Sequence, residues 1–304
     1  MKTKIVVTGG AGFVGSNLVD KLIEQGYNVT IIDNLSTGKL ENINPKASFM
    51  FADLSTIDQT ILINLLTGVD TVFHCAAFPR VQPSIKDPLT SNKANVDVTL
   101  KVLMAARDAN IRRFVYSASS SAYGDTDIIP TNELVPTAPM SPYGLQKLIG
   151  EQYCTMFNAL YGLQTVSLRY FNVYGDRMAT EGAYCTVIGI FSNQYVQHIP
   201  LTITNDGEQR RDFTYIDDVV NANILAMKSN KVGNGEVINV GNGSNYSVNE
   251  VADMFGREKV YNESRYEPKV TLADNSKAKE LLGWEPTGNL TLWLQQHIKG
   301  LECK

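Results

Sequence analysis

Tyr143 and Lys147 stand four apart in the run Ser141-Pro142-Tyr143-Gly144-Leu145-Gln146-Lys147, so a helix opened by Pro142 presents both on one face. A phenol with its unperturbed pKa near ~10 is a poor base at neutral pH. A neighbouring ammonium stabilises the phenolate, which makes the pair a general base with its activating cation. Ser119, within Tyr116-Ser117-Ala118-Ser119-Ser120-Ser121-Ala122-Tyr123-Gly124, follows a predicted strand and offers a hydroxyl to relay a proton to Tyr143. A lone Y-x-x-x-K also suits an amphipathic helix surface, and a serine run suits a solvated loop. The place of these serines at the carboxyl end of a central strand favours chemistry.

A second constellation handles anions. Thr8-Gly9-Gly10-Ala11-Gly12-Phe13-Val14-Gly15 follows the first predicted strand and opens the first helix. Gly9 permits the tight turn, Gly12 lets the backbone approach a pyrophosphate, and Gly15 lets helix and strand pack closely. The helix N-terminus then supplies N–H donors and a positive dipole. The spacing is G-x-x-G-x-x-G rather than the commoner G-x-G-x-x-G. Asp33 ends the second strand, where a carboxylate accepts hydrogen bonds from both hydroxyls of an adenosine ribose and repels a 2′-phosphate. NAD is therefore expected over NADP. Asn34 follows it, and Asp53-Leu54, after the third strand, is placed to flank an adenine.

The elements that must position these groups follow from hydrophobic periodicity. Ile5–Thr8, Asn28–Asp33, Ser48–Ala52, Thr71–Ala76, Arg113–Ser117 and Thr165–Arg169 read as buried strands. Phe13–Gln25, Ile57–Leu66, Val96–Ala109 and Pro142–Tyr161 read as helices between them. The alternation predicts an α/β fold, a doubly wound parallel sheet of the Rossmann type, with a smaller C-terminal α/β substrate lobe. Residues 1–174 are expected to bind the dinucleotide, joined by part of 213–240, and 175–304 to form mainly the substrate lobe. In that lobe helices are expected at Thr186–Val196, Asp217–Ser229 and Val248–Phe255, with short strands at Leu201–Thr204 and Val237–Asn239.

Composition excludes several classes. With 304 residues, 43% hydrophobic and 19% charged, the chain can bury a sizeable core. A net charge of −4 gives no footprint for nucleic acid. Four scattered cysteines without C-x-x-C spacing and three distant histidines point to neither a disulfide framework nor a metal site. The start of the chain runs straight into a strand, and no stretch approaches membrane-spanning length, so a cytoplasmic protein is expected.

With the glycine loop, Asp33, the serine run and the Tyr–Lys pair in this order, the chain resembles the extended short-chain dehydrogenase/reductase family. Within it the likeness is to UDP-hexose and UDP-N-acetylhexosamine 4-epimerases. It extends through His74-Cys75-Ala76-Ala77, Ser91-Asn92-Lys93-Ala94-Asn95-Val96, Arg169-Tyr170-Phe171-Asn172-Val173-Tyr174-Gly175, Gln209-Arg210-Arg211-Asp212-Phe213 and Ala273-Asp274-Asn275-Ser276. The resemblance implies Ser119, Tyr143 and Lys147 as the catalytic trio, with Asn95 steadying the lysine side. It implies Ala76, Ala77, Asn95, Tyr143, Lys147 and Tyr170 at the NAD site beside Gly9, Gly12, Phe13, Val14, Gly15, Asp33, Asn34, Asp53 and Leu54. It further implies Asn172, Arg211 and Arg265 on a UDP diphosphate, and Ser119 and Ser121 on the sugar.

Related 4,6-dehydratases resemble one another in an Asp-Glu pair where this chain has Ser120 and Ser121, which disfavours elimination chemistry. Thr271 falls where hexose-restricted epimerases resemble one another in a bulky tyrosine, which leaves room for an N-acetyl group. The stretch from Phe78 to Ala94, with Pro79-Arg80-Val81, also looks like the N-acetylhexosamine branch. The loop before Thr271 is shorter than usual and carries Glu267-Pro268 where Gly-Asp is common. The expected reaction is NAD-dependent 4-epimerisation of a UDP-sugar through a 4-keto intermediate. Another nucleotide-sugar enzyme, such as a uronate epimerase or reductase, and a non-catalytic NAD-binding module remain as alternatives. A homodimer through Val96–Ala109 and Pro142–Tyr161 is implied by resemblance.

Overall fold

Runs of Val, Ile, Phe and Tyr form strands here because β-branched and aromatic side chains suit a pleated surface covered on both faces. In the computed structural model, which describes residues 2–182, 185–263 and 266–302, six of these runs are β1 (Lys4–Thr8), β2 (Asn28–Asp33), β3 (Ser48–Phe51), β4 (Thr71–His74), β5 (Arg113–Ser119) and β6 (Gln164–Tyr170). They join the strand Asn234–Val240 in one sheet of seven, in the order β3-β2-β1-β4-β5-β6 and then Asn234–Val240. Every neighbouring pair is parallel. The chain reverses its direction of travel across the sheet between β1 and β4, and a crevice opens at their carboxyl ends.

Side chains alternate along β1. Ile5 and Val7 face one helical layer and Val6 the other. On the first face the helices Phe13–Glu24 and Ile216–Lys228 bury Leu18, Val19, Leu22, Val219 and Ala222 completely. On the second, Gln59–Leu66, Val98–Asp108 and Pro142–Tyr161 bury Leu62, Leu66, Val102, Leu103 and Cys154. Apolar residues three and four apart produce these stripes.

A third cluster sits beyond the sheet. The helices Val187–Val196, Val248–Phe255 and Leu290–Glu302 close over Phe191, Leu201, Ile203, Val251, Phe255 and Leu294. Two short ribbons pair Leu201–Thr204 with Lys259–Asn262, and Arg210–Asp212 with Asn245–Ser247. The buried Asp212 carboxylate accepts backbone N–H bonds from Asn242 (2.6 Å), Gly243 (3.0 Å) and Ala273 (2.9 Å), tying three segments into one junction.

Four helices go beyond the sequence expectation: Val81–Lys86, Pro88–Asn92, Ser276–Leu282 and Leu290–Glu302. The first two are too short to show periodicity and contain Pro83 and Pro88. Both prolines sit in first turns, where an N–H has no helical partner to lose. Among the described residues no three His, Cys, Asp or Glu side chains converge as metal ligands, and no helix is long and apolar enough to cross a membrane.

His74 ties the two halves of the crevice. Its Nδ1 lies 2.7 Å from Thr8 Oγ1 and its Nε2 3.1 Å from Thr99 Oγ1. Thr99 donates its hydroxyl to the Asn95 carbonyl (2.7 Å), so it accepts from Nε2–H, and Nδ1 accepts from Thr8. Burial, aided by the charge of Lys147, pushes the His74 pKa down to about 3. The unfolded chain protonates this imidazole near ~6.5, so below that pH it binds more protons than the folded state, and stability falls on acidification. Between about pH 7 and about pH 5 the wild type should lose about 2 kcal/mol more than His74→Gln in urea unfolding. Equal losses would remove His74 as the acid-sensitive group.

Candidate active site

The glycine turn follows β1, and Gly12 ends it as the N-cap of Phe13–Glu24, with no side chain capping the first-turn N–H groups. Those donors face the crevice and suit an anion. A Cβ on Gly15 would lie 2.2 Å from the Gly9 carbonyl oxygen, so only glycine lets the helix start this close to the turn. At the end of β2 the Asp33 carboxylate accepts N–H bonds from Ala11 (2.9 Å) and Leu35 (2.7 Å), which fix its plane against the glycine turn.

One cleft of about 790 Å³ runs from this turn across the sheet. Gly9, Gly12, Phe13, Val14, Gly15, Asp33, Asn34, Asp53, Leu54, Ala76, Ala77 and Tyr170 line it, and so do Ser119, Ser121, Tyr143 and Asn172. The expected dinucleotide and sugar groups therefore share one cavity. The Tyr170 hydroxyl bonds Ser117 Oγ (3.2 Å) and the Asn223 amide.

Tyr143 owes its place to the start of its helix. Ser141 caps it through Oγ to Gly144 N–H (3.1 Å), and Pro142 takes the first turn. Gly144 allows close approach, since a Cβ there would meet the Ser121 carbonyl at 2.6 Å. The helix thus docks on the serine turn, and Tyr143 and Ser119 line the same cleft. Burial pushes the phenol pKa up, and the Arg80 guanidinium and the Ser119 hydroxyl pull it back. Ser119 Oγ also accepts from Ser121 N–H (3.2 Å) and donates to Ser121 Oγ (3.1 Å).

Lys147 is buried one turn below. Its ammonium donates to the Ser117 carbonyl (2.8 Å) and lies 5.0 Å over the Tyr116 ring, in the floor of the site and not among the groups lining the cleft. Burial lowers its pKa to about 8, against the opposing pull of Cys75, Glu151 and Cys154. Asn95, on a π-helical turn at Lys93–Asp97, is also outside the lining. It grips the main chain of Phe78 through both ends of its amide (2.7 and 3.0 Å) and donates to Gln146 Oε1 (2.8 Å).

The residues expected on the diphosphate are placed differently from one another. Asn172 lines the cleft and donates to Thr271 Oγ1 (3.3 Å) and the Asp212 carbonyl (3.1 Å), which sets Thr271 behind it. Arg211 is ion-paired with Glu267 (2.6 Å) and is not among the lining groups. Arg265 lies outside the described residues. Arg80 lines the cleft beside Tyr143, yet only family likeness marked its segment in the sequence. Arg177 lines it too, paired with Asp20 (2.6 Å).

Taken together, the parallel sheet with its switch-point cleft, glycine turn and acidic strand end defines a dinucleotide-binding enzyme. The chain belongs to the NAD dependent epimerase/dehydratase family, whose model matches residues 5–241. It is similar to the UDP-glucose 4-epimerase of Thermotoga maritima, solved with UDP-glucose, at 37% identity and a TM-score of 0.93 over 99% of both chains. It is also similar to the UDP-N-acetylglucosamine 4-epimerase of Methanobrevibacter ruminantium, solved with UDP-N-acetylmuramic acid, at 36% identity and TM-score 0.91, over 100% of this chain and 99% of that one. The UDP-glucuronic acid 4-epimerase of Bacillus cereus, solved with UDP-glucuronic acid and NAD, matches at 34% identity and TM-score 0.91 over 99% of both chains.

NAD is the cofactor of this family, and the residues present fit it. The uncapped helix start suits the pyrophosphate and the fixed Asp33 carboxylate suits an unphosphorylated ribose. Gly15→Ala should yield protein without NAD, scored by releasing nucleotide from the purified protein with acid. Full retention of NAD would contradict the close-packing argument.

Proposed function

We propose that this enzyme interconverts the C4 epimers of a UDP-sugar through a 4-keto intermediate. The pair UDP-N-acetylglucosamine and UDP-N-acetylgalactosamine would be its main substrates, and UDP-glucose and UDP-galactose would also be accepted. The observation that carries this reading is the placing of Ser119 and Tyr143 together on the wall of one cleft continuous with the glycine turn. A hydroxyl and a phenol at the carboxyl end of β5 suit removal of a proton from a secondary alcohol.

In this reading Tyr143 takes the proton of the 4-hydroxyl through or beside Ser119. Bound NAD supplies the hydride acceptor and donor, so no net oxidation occurs and the cofactor stays with the protein. Lys147, anchored on the Ser117 carbonyl one turn along the Tyr143 helix, is assigned as the activating cation. The keto sugar then turns to present its other face while its diphosphate stays held, which demands firm phosphate contacts beside a roomy sugar pocket.

Asn172 and Arg211, with Arg265, are assigned to that diphosphate. Arginine forks match phosphate oxygens, and a bound diphosphate would compete with Glu267 for the Arg211 guanidinium. Thr271, a small side chain outside the cleft lining but bonded to Asn172 within it, is assigned to leaving room for a 2-N-acetyl group. Ser120 and Ser121 line the cleft and offer no carboxylate to abstract a C5 proton, which supports epimerisation over elimination. Free thiols at Cys75, Cys154 and Cys185 are in keeping with a cytoplasmic setting.

Purified protein, with no cofactor added, should epimerise UDP-N-acetylglucosamine and, less efficiently, UDP-glucose. Tyr143→Phe should retain NAD while losing about 10²-fold or more in kcat. Near-normal turnover of the variant would reject Tyr143 as the base. Turnover confined to UDP-glucose would reject the N-acetyl preference.

We also infer a homodimer. Helix Pro142–Tyr161 exposes Leu145, Met156 and Leu160, and helix Val98–Asp108 exposes Met104, so apolar side chains on both face outwards. Light scattering should report a dimer that Leu160→Glu weakens. A wild-type monomer at micromolar concentration would overturn this.

A further inference from the structure

Arg80 stands on the segment that leaves β4 and forms part of the cleft wall. That segment is fastened on both sides of it. Asn95 holds the main chain of Phe78, and Ser84 Oγ, in the helix Val81–Lys86, accepts the Tyr143 N–H (3.1 Å). Between these anchors Arg80 has φ 80° and ψ 146°, a conformation that a residue bearing a Cβ adopts only where its surroundings impose it. Backbone strain of this kind gathers where a side chain must be presented to a site.

What Arg80 is presented to is the phenol. Each group acts on the other electrostatically, the guanidinium favouring the phenolate and the phenolate favouring the guanidinium. The other groups around the phenol are Ser119 and Tyr116 from β5, while Cys185 sits beside the guanidinium. Lys147 spends a hydrogen bond on Ser117 in the floor of the site, and with a pKa of about 8 it loses charge in mild alkali. An arginine stays charged throughout that range.

We propose that Arg80 is a positioning residue of the reaction, its guanidinium steadying the Tyr143 oxygen while that oxygen carries negative charge. This rests on the reading of Tyr143 as the base. Arg80 acts on the phenol from the cleft wall, while Lys147 is held on the Ser117 carbonyl one turn along the helix.

The test uses NAD-loaded protein carrying tyrosine labelled with 13C at Cζ, with the Tyr143 resonance identified by its loss in Tyr143→Phe. In Arg80→Gln the phenol midpoint and the acid limb of the kcat/KM profile should both move up by about one pH unit, with about a tenfold fall in kcat/KM at neutral pH. Arg80→Lys should recover most of that loss. Arg80→Gly removes the charge while relieving the backbone, so it should fold at least as well as wild type and show the same pH shift.

An unmoved phenol midpoint in folded Arg80→Gln or Arg80→Gly would overturn the proposal. So would a raised KM for the UDP-sugar with an unchanged pH profile, which would assign Arg80 to holding the sugar. A moved phenol in a protein that turned over no UDP-sugar would uphold the pairing and reject the epimerase reading.

Discussion

The demand that the proposed reaction places on this molecule is an unfavourable one: a phenol would have to carry negative charge in a place where burial opposes it. Water cannot supply the compensation without also flooding the reacting centre. The protein supplies it through fixed groups, a hydroxyl from β5 and a guanidinium from the segment after β4. The two are far apart in sequence from each other and from Tyr143. The fold is what brings them within range.

A parallel sheet does this economically because all its strands end on one side. The turns after β1, β4 and β5 meet at the switch point, and the turn after β2 closes one end with Asp33. Close approach is then a matter of removing side chains. Gly15 draws the first helix onto the turn before it, and Gly144 lets the Tyr143 helix settle on the Ser121 carbonyl. The polar ties beneath are directional: His74 links β1 to the helix Val98–Asp108, and Asn95 fixes the segment that carries Arg80. Rigid support of this kind keeps charged groups in place without a reorganisation cost during reaction.

The doubly wound sheet was legible in the sequence because its strands are near-continuous apolar runs separated by helices with clear three- and four-residue periodicity. Motif chemistry located the glycine turn, Asp33, the serine turn and Tyr143, since each depends on residue type at a short spacing. Arg80 carried no such signal. Its effect depends on a left-handed backbone and on anchors at Phe78 and Tyr143, which only the folded chain brings together. Lys147 was predictable as a neighbour of Tyr143, but not its hydrogen bond to the Ser117 carbonyl. Glu267 stood out as a departure in an otherwise familiar run, and its ion pair with Arg211 is a tertiary fact. Short proline-containing helices hid for a simpler reason, having too few residues to show a period.

A crystal structure of the NAD-loaded enzyme with a bound UDP-sugar would bear most directly on the claim that one phenol oxygen does the proton chemistry. Tyr143 Oη should lie within about 2.6–3.2 Å of the sugar 4-hydroxyl, directly or through Ser119. A sugar seated with its 4-hydroxyl beyond the reach of both side chains, and no rotation able to bring it back, would contradict it.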